Sequence, residues 1–575
     1  MLCIKVPVKQ AEKAKKEIIA KGLFDKEHQI VKDKGFVYFP VKKKFKTKHS
    51  IVNKPLKKIS LPTNLKSSLK KKLSKNDLKL LKRSMDIIGN IAILEIPAEL
   101  EKKEKLIAQE VLHINKNIRT VLKKGRHEGV FRVQKLEHLA GEKTKEAVYR
   151  ENNVVLKLDV EQVYFSPRLS TERKRIMQLI KKPEVVLVMF SGCAPYVCSI
   201  AKNTPAKYVY GIEINPVAHK YGVENIRLNN IHNALLINED VKTALPGFYK
   251  RIIGLKSALN PAELDAKLRH NPLIMELHTV PEDFNSGLEQ LKKTIKELQQ
   301  AGRHVVVHQP LQKPKKIDLI SYNAESDIYK RLLSVAKEFG VELIIHPVNR
   351  DSEGTEEKLI ENIKTFSKHY NDVFFENPPF NIFSKKESIF RIIKDTGIRK
   401  MCIDLCHLLY QHPSTEVIEV IKEVQKHCTT YFHVNDYKNN AHGAQLDDNS
   451  CVPIKEVLPL ITKGIIEVYN SNELEAKEML DSWEYVGKFQ KTFDRILMPL
   501  PKSAADYLDI ALAASRKGTI IHFYDFQKED EFDKSVEKIK KACESAGKKF
   551  KVLNIVKCGQ NAPREYRICV DFEII

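Results

Sequence analysis

Between positions 300 and 470, short apolar runs repeatedly end in residue types that bind metal ions. HVVVH closes on His308, ELIIH on His346, VFFE on Glu376, MCID on Asp404 and TYFH on His433, while GIIEV carries Glu467. His407 follows Asp404 within IDLCH, and Asp447 in QLDDN is a further ligand candidate. Imidazoles and carboxylates converging on one mouth suit a divalent ion, zinc or manganese by donor type. A lone His at a strand end is ordinarily a satisfied core or surface group, so the reading rests on the recurrence. Glu276, His278 and Tyr322 are substrate-side candidates by location alone.

Eight strand candidates with helical patterns between them would position these groups: RIIGLKS, LIMELHT, HVVVHQ, ELIIH, DVFFE, MCIDL, TYFHV and IIEVY. That is one closed (β/α)8 TIM barrel over 250–490, with functional side chains at the carboxyl ends of its strands. The flanks read differently. VVLVMF, a small-residue turn SGCAP, YVYGIEI and ALLINED form a βαβαβ nucleotide-binding half over 181–249. Its missing strands resume at 491–575 with FDRILMPLP, GTIIHFYDF, FKVLNIVKC and EYRICVDFEI. The barrel is thus expected inside a loop of a Rossmann-like domain, an insertion that surface loops tolerate. Upstream, 1–62 reads as a small α/β module, 63–83 as a Lys-rich linker and 84–180 as a second α/β module leading into the Rossmann-like domain. The expected class is multidomain α/β.

The net charge is +25, and 13 Lys with no acid lie between Val41 and Lys75. Such an excess favours a polyanionic partner, most simply nucleic acid, although a Lys run is also what a solvated tether looks like. The ten Cys lack an extracellular disulfide pattern and read as reduced. No apolar stretch is long enough for a membrane span, and the N-terminus lacks a signal-peptide core. A cytoplasmic protein with no membrane association and no evident obligate protein partner is expected.

In the Rossmann-like half, Ser191 and Gly192 let the backbone approach a cofactor at the first strand-to-helix turn. Glu213 ends the second strand, where a carboxylate can accept from ribose hydroxyls, and Asp240 follows the third, where it could meet an adenine amino group or simply cap a helix. The motifs SMDIIG, FRVQKLEHLAGE, SPRLSTERKR, FSGCAPY, GIEINP, NEDV, MPLPKSA, IHFYDF and APREY, in this order, resemble the archaeal and eukaryotic tRNA (guanine-37 N1)-methyltransferase family. That resemblance implies a class I S-adenosylmethionine (SAM) methyltransferase with tRNA as partner, its N-terminal modules binding RNA. It places Glu172 as the base that takes the guanine N1 proton and Arg132 as the group facing the charge developing on O6, roles that are physically sensible. It also places Arg173, Phe190, Gly192, Glu213, Ile214, Asp240, Val241 and Pro499 at the cofactor. Two departures stand out: Val188 replaces an acid, and Met498-Pro499-Leu500-Pro501 replaces an Asn-containing motif. The wybutosine-pathway aminocarboxypropyl transferases share this fold and are the alternative.

The inserted segment resembles the endonuclease IV and xylose-isomerase-like barrels, most closely at IDLCH, FHVND and IEV. The resemblance implies two or three divalent ions held by His308, His346, Glu376, Asp404, His407, His433, Asp447 and Glu467, although Asn449 stands where a further His would be. It leaves open an endonuclease or phosphodiesterase, a sugar isomerase, or a barrel that only widens an RNA-binding surface.

Overall fold

A computed structural model describes residues 1–575 apart from 26–27, 58–64, 71, 82–84, 129–132, 286, 311–318, 321–326, 349–353, 379–384, 439–440, 470–475 and 501. Arg132 and Tyr322 lie outside the described residues. The chain divides into two compact units: Met1–Glu128 with Gln134–Ala147, and Val148–Ile575 with Gly129–Val133.

In the first unit, Leu2–Pro7 lies between Phe36–Pro40 and Ser50–Asn53 in an antiparallel sheet. Ala14 and Ile18 of the helix Ala11–Ala20 pack with Ile4, Val6 and Phe39. A second sheet of Met85–Ile88, Ile91–Leu94, Thr120–Glu128 and Val133–Gly141 carries the helix Glu104–Ile114. The linker expected over 63–83 is instead folded. It holds the helices Leu65–Leu69 and Lys75–Leu80, the latter opened by a Ser74–Asp77 capping box. Leu69, Leu73 and Leu81 enter the same core as Ile107 and Val111. The lysines are the wet face of these short helices.

The second unit opens with the hairpin Glu146–Glu151 and Val154–Asp159, whose turn residues Asn152 and Asn153 both have positive φ, 41° and 64°. That pair matches a two-residue turn suited to strand twist. The helix Ser170–Leu179 leads to a seven-stranded sheet ordered Ala234–Ile237, Tyr208–Ile212, Val185–Met189, Phe493–Met498, Ser515–Lys528, Glu565–Ile574, Phe550–Ala562. The first five strands run parallel and Glu565–Ile574 runs antiparallel to both its neighbours.

All eight expected barrel strands form and close: Ile253–Ala258, Ile274–His278, His304–His308, Glu342–Ile345, Val373–Glu376, Lys400–Asp404, Thr429–Val434 and Gly464–Ile466. Gly464 pairs with Ile253 to complete the circle. Near this closure Tyr210, Phe248 and Phe493 form an aromatic triad with ring centroids 5.2, 5.3 and 5.9 Å apart. The Tyr210 hydroxyl donates to the barrel carbonyl of Thr462 at 2.5 Å. Barrel and sheet therefore share one apolar core. All ten cysteines are unpaired, and no described helix is long and apolar enough to cross a membrane.

Candidate functional sites

The cofactor crevice is built at the carboxyl ends of Val185–Met189 and Tyr208–Ile212. Phe190, Gly192 and Ala194 have φ of 60°, 57° and 66°. Holding Phe and Ala in this left-handed region costs energy that a built site sustains. The turn aims the Gly192 N–H at Glu213 Oε2, 2.7 Å away, while the Asn215 N–H reaches Oε1 at 2.8 Å. Burial pushes the Glu213 carboxyl up, and these two amides oppose that. A Cβ at Gly211 would lie 2.4 Å from Leu236 Cδ2 and 2.9 Å from Ser191 Oγ, so a larger residue there would have to displace both side chains. Asn225 pins the turn from behind, donating to Cys193 O at 2.9 Å. Asn225 and Asn229, one helical turn apart, each bond a backbone N–H and C=O of the edge strand Val154–Asp159.

Asp240 caps the helix Val241–Ala244 and accepts from the Lys242 N–H at 2.7 Å. Val241 is buried, while Ile214 is 43% exposed at the rim. Pro499 is half-buried at the end of Phe493–Met498. Sequence reasoning missed Tyr507, whose ring meets Phe190 edge-on at 4.8 Å and lies 4.9 Å from Lys242 Nζ. Its phenol is pushed up by burial and by the neighbouring Asp240. Arg173, expected at the cofactor, is a buried cation with partners inside the fold. Its Nε and Nη2 grip Glu151, Nη2 at 2.7 Å, and Nη2 also donates to Ser166 O at 3.2 Å. The reason is local: Glu151 ends a hairpin strand beside the helix that carries Arg173, so the ion pair closes inside the fold.

Glu172, on the first turn of Ser170–Leu179, is 4% exposed. Arg175 donates to its two oxygens, each at 2.7 Å, and the Tyr524 hydroxyl donates to Oε1 at 2.7 Å. Arg175 also reaches Asp571 at 2.6 Å, which holds His522 Nδ1 at 2.5 Å, whose Nε2 accepts from Arg495 at 2.7 Å. Arg495 in turn pairs with Glu184 at 2.7 Å. This chain crosses the sheet from Glu184 to Glu172. None of its other members stands out in the sequence, because the contacts that close the chain, Arg175–Asp571, Arg495–Glu184 and Tyr524–Glu172, join residues 396, 311 and 352 positions apart.

At the barrel mouth, seven of the eight expected ligands converge. His308 Nε2 and His346 Nε2 are 3.1 Å apart and lie 3.5 and 3.2 Å from Glu376 Oε2. Donors on a tetrahedral ion with bonds of about 2.0–2.1 Å would be roughly 3.3 Å apart. His433 Nδ1 lies 2.8 Å from Glu467 Oε2, 3.3 Å from Glu376 Oε2 and 3.8 Å from Asp404 Oδ2. His407 Nε2 lies 3.9 Å from Asp404 Oδ2. Asp447 does not join them. Its carboxylate accepts from Lys438 Nζ at 2.8 Å and from the Asn449 N–H at 2.7 Å, as a turn cap outside the mouth. In its stead stands His442, which sequence reasoning missed: Nε2 is 3.3 Å from Asp404 Oδ2 and its ring stacks on His407 at 4.8 Å.

The histidines are orientated from behind. His308 Nδ1 and His407 Nδ1 donate to the carbonyls of Gln309 and Asn377, both at 2.8 Å, leaving each Nε2 for the mouth. Glu276 accepts from His433 Nε2 at 3.1 Å and leaves Nδ1 facing the cluster. Such outer partners fix the tautomer of metal-binding histidines. Although burial would raise it, the Glu276 carboxyl is drawn down to about 2 by His433 and Lys256. Burial lowers His278 to about 3, aided by Lys256. Among the described residues, Glu376 Oε2 and His433 Nδ1 are buried without a hydrogen-bond partner, as donors awaiting a cation are. The residues present therefore fit a divalent ion.

A Rossmann-like sheet with a glycine turn facing a second-strand carboxylate defines a nucleotide-cofactor fold. The comparisons narrow that class. The family model for the TRM5/TYW2 methyltransferase domain matches residues 147–300 and 465–553. The tRNA methyltransferase 5 N-terminal domain matches 3–48, the TYW2 N-terminal domain 65–144 and the xylose isomerase-like TIM barrel 269–485. The chain is 39% identical over 240 residues to tRNA (guanine(37)-N(1))-methyltransferase Trm5b of Pyrococcus abyssi, covering 42% of this chain and 72% of that one. It is 31% identical over 316 residues to the Methanocaldococcus jannaschii Trm5b, covering 51% and 90%. It is also 32% identical over 274 residues to tRNA (guanine(37)-N(1))/4-demethylwyosine(37)-methyltransferase Taw22 of Nanoarchaeum equitans, covering 44% and 88%. The chain belongs to the TRM5/TYW2 family of S-adenosylmethionine-dependent tRNA methyltransferases, and it carries an inserted TIM barrel.

Proposed function

We propose that this chain methylates N1 of the guanosine at position 37 of tRNA. The observation that carries the reading is the pairing of a Gly192–Glu213 cofactor crevice with a buried carboxylate, Glu172, on the helix that leads into it. In this reading Glu213 accepts from the ribose, Asp240 faces the adenine, and Phe190, Gly192, Ile214, Val241, Pro499 and Tyr507 line the cofactor. Bound S-adenosylmethionine supplies an electrophilic methyl group. The chain's own task is to remove the N1 proton, which Glu172 takes, and to stabilise the charge moving to O6, which falls to Arg132. Such base catalysis is typically worth 10²–10⁴-fold. The lysine-bearing N-terminal segments grip tRNA through phosphates and shape. Labelled methyl transfer to an unmodified transcript with guanosine at position 37, against one with adenosine there, tests the reading. The names of the relatives favour methyl over aminocarboxypropyl transfer. The Nanoarchaeum relative's name adds 4-demethylwyosine as a second acceptor to try.

We further propose that the barrel holds divalent ions through His308, His346, Glu376, Asp404, His407, His433, His442 and Glu467. Ions there would polarise a phosphoester or sugar oxygen and activate water. Metal content of the purified protein, before and after Glu376→Gln, tests this.

A further inference from the structure

A cleft of about 640 Å³ opens at the junction of the methyltransferase sheet and the barrel. It lies at the amino-terminal ends of Tyr208–Ile212 and Ala234–Ile237 on one side and of Lys400–Asp404, Thr429–Val434 and Gly464–Ile466 on the other. The cofactor crevice and the barrel mouth are both at carboxyl ends, so this cleft belongs to neither. Methyltransferase residues 183–233 and barrel residues 399–462 form its walls, so the insertion creates it.

Its lining contains Lys202, Lys207, Arg399 and Lys426, and among the described lining residues there is no Asp or Glu. Lys426 is neutralised by Glu423 at 2.6 Å. The other three make no ion pair among the described residues. Lys202 Nζ donates to Asn229 Oδ1 at 3.2 Å and Lys207 Nζ to Gln425 Oε1 at 2.5 Å. Arg399 is exposed, and its guanidinium makes no hydrogen bond or ion pair among the described residues. Burial lowers the Lys207 ammonium to about 8, and nearby Lys422 adds to this against Asp494. Asp494 itself is committed to the Val185 N–H and to Arg516. Uncompensated cations facing a concave space of ligand size, with amide and hydroxyl groups from Asn230 and Thr429 beside them, are what a phosphate site requires.

We propose that this cleft binds phosphate groups, with Lys202, Lys207 and Arg399 as the recognising cations. Two sources share that chemistry: the RNA backbone, which would rest on the tRNA reading above, and a free phosphate-bearing small molecule, which would not.

The test compares the full chain with its Lys202→Gln/Arg399→Gln double variant, both positions being exposed. Inorganic phosphate is titrated calorimetrically, and an unmodified tRNA transcript is titrated across a salt series. The site predicts phosphate binding weakened about tenfold in the double variant, with Arg399→Lys alone retaining most of it. A parallel loss of tRNA affinity, with a salt slope shallower by about two, assigns the phosphates to RNA. Unchanged tRNA binding alongside weakened phosphate binding assigns them to a free ligand. A double variant that matches the parent in both titrations overturns the proposal. Neither arm depends on methyl transfer, so failure of the enzymatic reading is scored separately.

Discussion

Arg175 grips Glu172 with two nitrogens of its guanidinium, each 2.7 Å from a different carboxylate oxygen. The carboxylate proposed as base is thus held in one rotamer inside the protein, with Tyr524 as third partner. Substrate must compete with those partners for a lone pair. Glu172→Gln keeps the shape and is expected to lower single-turnover methyl transfer by about 10²–10⁴-fold while leaving S-adenosylmethionine affinity within a few-fold. A variant with near-parental rates would remove Glu172 from the chemistry.

Arg175→Met leaves both Glu172 and Asp571 without their guanidinium in the core. Breaking a buried pair by removing one partner costs about 3–5 kcal/mol. Denaturant unfolding should show a loss of that order, and a change under about 1 kcal/mol would mean the network is wetter than its burial suggests.

Lys491 gives the fold a pH signature. Burial, with Lys207 and Arg516 adding to it and Asp494 opposing, lowers its ammonium from 10.5 to about 7, and its Nζ donates to Ile461 O at 2.9 Å. Below about pH 7 both the folded and unfolded chains carry the proton, and the full cost of burying the charge is felt. Between about 7 and 10.5 the unfolded chain binds the extra proton, so this group makes stability rise with pH. Lys491→Met should therefore stabilise the protein most at the acid end of that window, its advantage shrinking through pH 8 to 10. A constant difference in unfolding free energy over that range would contradict the assignment.

Much of the barrel was legible because a buried parallel strand is a short apolar run, and each run here ends in a polar group at the mouth. His442 escaped because it sits on the hairpin Asp436–Lys438 and Ala441–Ala444, where no strand end marks it. Asp447 stands apart from the cluster as a turn cap, a distinction that ligand order along a chain cannot make. The lysines of 63–83 mask an apolar pattern: Leu65, Leu69 and Leu73 recur every four residues and Leu78 and Leu81 lie three apart, all in one core. The Glu172 network was illegible because Arg175 and Asp571 are separated by 396 positions.

Metal removal separates the two chemistries. The purified chain should carry divalent metal that Glu376→Gln and His442→Ala reduce, while Asp447→Asn leaves it unchanged. Chelation should lower the melting temperature, since an ion present at 100 times its Kd stabilises by about 2.7 kcal/mol. Methyl transfer should survive all three substitutions. Elemental analysis equal to background in the parent protein would show that the mouth holds no metal.

Asn225 and Asn229 let a helix act as the partner of a strand edge. Either Asn→Ala change strands a backbone amide and carbonyl and should cost about 1–3 kcal/mol. Asn225→Ala should also weaken cofactor binding, since Asn225, unlike Asn229, holds Cys193 O behind the Gly192 turn. Equal effects of the two changes on cofactor affinity would contradict that division.

The most direct measurement is nucleoside mass analysis of an unmodified tRNA transcript after incubation with this chain and S-adenosylmethionine. The account predicts one methyl group on N1 of guanosine 37 and none when adenosine occupies that position. An aminocarboxypropyl group on the nucleoside, or methylation that ignores the base at position 37, would contradict it.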